Sequence, residues 1–148
     1  MARNNAMCLA VVAIFCLGSL FTLANPLGLG AYDSPSRHGG VTHIVMFQFK
    51  ETVAVDAIKE TNRNMLALKD TCIDPITQKP YIRSLTGGKD NSIEGLQNGI
   101  SYAFVVEFDS LEKRDYYVKT DPSHKAFLQG AGPVLEKAIV VDFADGVF

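Results

Sequence analysis

Apolar and polar residues alternate along Val41 to Lys50, VTHIVMFQFK. Side chains of a strand point to opposite faces in turn. His43, Val45, Phe47 and Phe49 therefore share one face, and Ile44 and Met46 share the other. Both faces are largely apolar, so both need cover. The pattern then changes period. Ala54, Ile58, Thr61, Met65, Leu68 and Cys72 recur at helical spacing, with Thr52 as an expected cap and Asp56 in the first turn. The two prolines of TCIDPITQKP mark a loop. Tyr81 to Thr86 reads as a short strand ended by Gly87-Gly88, and GGKDNSIEGLQNG as a further loop. Ser101 to Phe108 alternates strongly, with Tyr102, Phe104, Val106 and Phe108 on one face. Asp109 and Glu112 form an expected capping box before a helix over Leu111 to Lys119. Asp121-Pro122 starts a second helix through His124, Phe127 and Leu128. Ala138 to Phe143 is the last strand.

The order strand, helix, strand, strand, helix pair, strand predicts an α+β fold, the ferredoxin-like βαββαβ sandwich. Its helices cover one sheet face only. The other face carries Val45, Phe47, Phe49 or their neighbours, and an apolar sheet face of that size requires a partner. A second copy packed sheet to sheet is the simplest one. A cavity between two such sheets would suit a small apolar ligand.

Ahead of the domain lies Ala6 to Ala24, nineteen residues without a charge. Two readings fit. One is a secretory signal peptide, with small residues Thr22 and Ala24 before a cleavage point. The other is a membrane anchor of nearly the roughly 20 apolar residues a span requires. Arg3 before the run keeps the amino terminus cytosolic in either case. The domain is then expected in the secretory lumen or outside the cell, free or anchored. Residues 25–40, rich in Gly, Pro and Ser, read as a flexible linker. The domain spans about 41–148. Cys8 and Cys16 lie in the apolar run, which leaves Cys72 alone and best explained as a buried thiol.

Composition narrows the function by exclusion. A net charge of -2, with 47% hydrophobic and 20% charged residues, argues against a nucleic-acid partner and against disorder. No zinc-type C-x-x-C pair, phosphate loop or G-x-S-x-G motif is present.

Five stretches together resemble the stress-responsive A/B barrel (Dabb) domain family. They are VTHIVMFQFK, GGKDNSIEG, ISYAFVVEFDS, DYYVKTDPSH and AIVVDF, in that order. The resemblance covers about residues 41–145 and implies a homodimeric α/β barrel. The family includes olivetolic acid cyclase, which closes a polyketide chain by an aldol condensation without a cofactor, and plant stress proteins. By this resemblance His43 matches a strand-one pocket histidine. His124 matches the final histidine of the cyclase's Y-x-x-H-P-x-H stretch. Tyr117 matches its tyrosine if one residue is inserted before Asp121, with Tyr116 as the rival. Asp121 stands where the cyclase has its inner histidine, and Tyr102 where it has a strand-three histidine.

Such a cyclisation needs a base for an acidic α-proton and a donor for the enolate oxygen. The resemblance makes His124 the base and Tyr117 its partner. His43, Val45, Phe47, Tyr102 and Phe127 are the expected ligand contacts. No metal or cofactor is required. His124 in a helix first turn is expected to stay neutral and able to accept a proton. Each of these residues also has a plain packing role, and Asp142 reads best as a structural strand-end residue. Three functions follow: a cofactor-free cyclase or lyase acting on a small aromatic or polyketide-like substrate, a carrier of a small hydrophobic ligand, or a stress-associated interaction protein whose interior is filled by Phe47, Tyr102 and Phe127.

Overall fold

The computed structural model describes residues 39–148. The expected signal peptide or anchor and most of the linker lie outside them. Among the described residues no helix is long and apolar enough to cross a membrane. The chain folds as β1 Val41–Phe49, α1 Val55–Thr71, β2 Ser84–Lys89, β3 Tyr102–Phe108, α2 Leu111–Lys119, α3 Pro122–Ala131 and β4 Leu135–Phe143. The four strands form one antiparallel sheet in the order β2-β3-β1-β4. This is the ferredoxin-like α+β fold.

The alternation of β1 decides the layering. Val41, His43, Val45, Phe47 and Phe49 are all buried beneath the helices, while the residues between them are half-buried on the open face. Phe104, Val106 and Phe108 of β3 join the buried side. From α1, Met65 and Leu68 close the core with Cys72, which is completely buried. On the open face, β1 pairing sets Val105 beside Ile44 on one side and Val141 on the other. Met46 pairs with Ile139, and Phe143 sits opposite Thr42.

Local signals were displaced in three places. Helix α1 starts after Ala54 with no side-chain cap, so Thr52 does not cap it. The cap of α2 is Ser110, whose hydroxyl accepts from Lys113 N; Asp109 binds the Lys113 ammonium at 2.6 Å instead. Gly87 and Gly88 lie inside β2 rather than ending it. A Cβ on Gly87 would stand 2.2 Å from the Phe104 ring and 2.7 Å from the Ala103 carbonyl oxygen. Gly87 is thus a slot that lets Phe104 lie flat across the sheet.

Candidate functional site

Helices α2 and α3 do not cover the whole inner face. Along β4 they leave Ala138 and Val140 bare, and Val140 is 54% exposed. The uncovered strip is the floor of a cavity of about 830 Å³. Val45, Phe47, Phe127, Leu128 and Leu135 supply its apolar walls. The cavity that His43, Val45 and Phe47 line is therefore not one between two sheets. The cavity lies within one chain, because the odd-numbered residues of β1 face the helices and not the open side. Phe47 and Phe127 line it without filling it.

One end of the cavity is polar. His43 and Asp142 are directly opposed across β1 and β4, so both side chains project to the same face. His43 Nδ1 and Asp142 Oδ1 are 2.5 Å apart. The second Asp142 oxygen accepts from the Arg114 guanidinium of α2, and Arg114 also donates to Asp115 at 2.9 Å. Asp142 is thus a cross-strand anchor whose partner is 99 residues away in sequence. That pairing has no local sequence signal. A neutral His43 that donates Nδ1–H to Asp142 keeps Nε2 as an acceptor.

Tyr117 and His124 meet where α2 gives way to α3. Their rings stack at 3.9 Å between centroids with a 27° tilt. The His43 ring approaches Tyr117 edge-on at 5.7 Å. The Asp121 cap and Pro122 place His124 in the first turn of α3, as the sequence pattern requires, and the Asp121 carboxylate accepts from His124 N at 2.9 Å. Burial is the chief reason the His124 imidazole is held below its ordinary pKa. The His43 ring adds to this, and the Tyr117 backbone and the Asp121 charge oppose it. His124 Nδ1 is buried and has no hydrogen-bond partner among the described residues. Burial likewise raises the Tyr117 phenol, so it stays protonated and able to donate.

Tyr116 and Tyr117 divide as neighbours on a helix do. Tyr117 is buried against the cavity, while Tyr116 packs edge-on against Tyr81 at 5.6 Å. Tyr102 is a correction. It lies on the β3 side of β1, away from β4, and packs edge-on against Phe49 at 5.5 Å beside α1. The cavity is on the other side of β1, so Tyr102 does not line it. Among the described residues no three His, Cys, Asp or Glu side chains gather as a metal site.

The chain is similar to proteins that share this layout. A stress-response A/B barrel domain-containing protein of Arabidopsis thaliana is 30% identical over 107 residues, covering 70% of this chain and 85% of that protein. A hydroxynitrile lyase from Passiflora edulis superposes with a TM-score of 0.62 at 19% identity, covering 75% of this chain and 98% of the lyase. A dimeric ferredoxin-like protein from Thermobifida fusca gives a TM-score of 0.57 at 23% identity, covering 72% of this chain and 91% of that one. Residues 41–145 match the model of the stress responsive A/B barrel domain, and the chain belongs to that family.

Proposed function

We propose that this domain binds a small hydrophobic ligand in the cavity and moves a proton on it without a cofactor. One observation carries the reading: an apolar cavity ends on a neutral-leaning histidine stacked against a protonated tyrosine. His124 is the base. It takes a proton from a carbon next to a carbonyl, and the C–H electron pair moves to the carbonyl oxygen as an enolate. Tyr117 donates to that oxygen. A cyclase of the aldol type uses this step, and the similarity to a hydroxynitrile lyase bears on the fold alone.

A second reading has its own support. The Tyr117 and His124 rings meet face to face, and no hydrogen bond joins their polar atoms among the described residues. That arrangement suits a carrier that grips an aromatic ligand. The two readings separate in one assay. An aryl methyl ketone in D2O exchanges its methyl protons when a base removes them, and NMR follows the loss. The wild-type domain should accelerate exchange over buffer. His124→Ala and Tyr117→Phe should each lower the rate by about 100-fold while still binding the ketone. Binding without accelerated exchange would leave the carrier reading; neither binding nor exchange would overturn the use of the cavity.

The same proposal makes the protein a homodimer. Ile44, Met46, Val105, Ile139, Val141 and Phe143 form one apolar stripe on the open sheet face, and no element among the described residues covers it. A second copy of this chain meets the stripe with an identical one. The Thermobifida neighbour is described as dimeric.

A further inference from the structure

Asp121 is a buried acid for which a simple cap gives no reason. Its exposure is 0%, and no Asp121 ion pair forms among the described residues. One oxygen accepts from His124 N at 2.9 Å and the other from the Tyr81 hydroxyl at 2.8 Å. The Cys72 thiol is completely buried close by, and the Asp121 charge helps to raise it. Serine or asparagine would cap α3 as well as aspartate does. A buried carboxylate without a cation carries a desolvation cost that either of those residues avoids. The arrangement also rests on residues from separate parts of the fold. Cys72 follows α1, Tyr81 precedes β2, and Tyr81 itself stacks against Phe108 at 6.3 Å.

We propose that Asp121 is a positioning residue for His124: its buried carboxylate locks the first turn of α3 and fixes a negative charge next to the imidazole that takes up the proton. The inference rests on His124 acting as the base in the reading above. Burial penalises the imidazolium that the proton transfer creates. A fixed anion next to it offsets that penalty without needing to move. Tyr81 holds the anion still, and the complete burial of Asp121 shields it from water. The Cys72 thiol is pushed up to about 12, chiefly by its own burial and then by the Asp121 charge, and the Tyr81 phenol is raised first by its own burial and then by its bond to Asp121.

His43 faces the His124 ring from β1 and Tyr117 faces it from α2, with Asp121 on its own turn and Cys72 at the end of α1. Among the described residues Asp121 is the carboxylate whose charge acts on the imidazole; Asp142 stands behind His43, and Arg114, Asp115, Lys119, Glu136 and Lys137 line the rest of the cavity. Removing the Asp121 charge while keeping a capping oxygen is therefore a clean perturbation.

The test is a proton NMR titration of the His124 ring in the ligand-free full domain, assigned by its loss in His124→Gln. Asp121→Asn keeps the cap and the bond toward Tyr81, and Asp121→Ser keeps only the cap. In both variants the His124 midpoint should move to lower pH, while melting shows a folded protein. Two substitutions guard against one that does not fold. A His124 midpoint unchanged from wild type in a folded variant would overturn the proposal and leave Asp121 as a cap alone. The titration uses no ligand. A failed ketone exchange with a shifted midpoint would count against the catalytic reading and not against the role of Asp121.

Discussion

Gly87→Ala should destabilise the domain by about 3 kcal/mol, as overpacking of a tight core does, and lower Tm by about 10 °C. The added methyl would fall 2.2 Å from the Phe104 ring and 2.7 Å from the Ala103 carbonyl oxygen. Neither neighbour can yield easily. Phe104 is 1% exposed and packs on Phe47 at 5.3 Å, and the carbonyl belongs to the β3 backbone. The strain runs on into the site, because Phe47 stacks with Phe127 at 6.3 Å and both line the cavity. Gly88→Ala is the matched control. Nothing lies within 4 Å of its Cβ, and its φ is not in the left-handed region. That variant should melt within a few degrees of wild type, or slightly above it through the loss of chain entropy in the unfolded state. Thermal melts of the two variants check the pair. Equal melting would show that Phe104 does not lie across Gly87.

The second large effect concerns assembly. Ile44 is the centre of the open-face stripe, between Val105 and Val141. Ile44→Lys should weaken the proposed homodimer at least about 100-fold, because each protomer would bury an ammonium without a partner at a cost of roughly 3 kcal/mol or more. The monomer itself should remain folded, since the new charge then faces water. Sedimentation equilibrium over a dilution series reads the dissociation constant. A variant that dimerises like wild type would place the interface elsewhere on the molecule.

Much of the fold was legible because its signals are local. The alternation from Val41 to Phe49 names both the strand and its buried face. Asp121-Pro122 marks the start of α3 with side-chain chemistry that acts three residues away. The failures share a cause. Gly87-Gly88 reads as a turn because glycine favours turns, yet the need for glycine comes from Phe104 on the next strand. Asp142 has no motif around it, and its meaning depends on the β1–β4 register that sets it against His43. Tyr102 shares a face with the cavity residues, and only the strand order shows that it lies on the wrong side of β1. The place of this cavity is hidden for the same reason. Alternation tells which residues share a face, but the reach of α2 and α3 across β4 decides which part of that face stays open.

The cavity beside His124 and Tyr117 is proposed to hold a small apolar molecule in a homodimer of this chain. Native mass spectrometry of the protein purified from its own host weighs the assembly and any retained molecule together. Ala138 lines the cavity floor, so Ala138→Trp should fill the space without touching the open face. A dimer with a defined small mass per chain is expected, and the same dimer without that mass in Ala138→Trp. A monomer, or a bound mass that survives the tryptophan, would contradict the proposal.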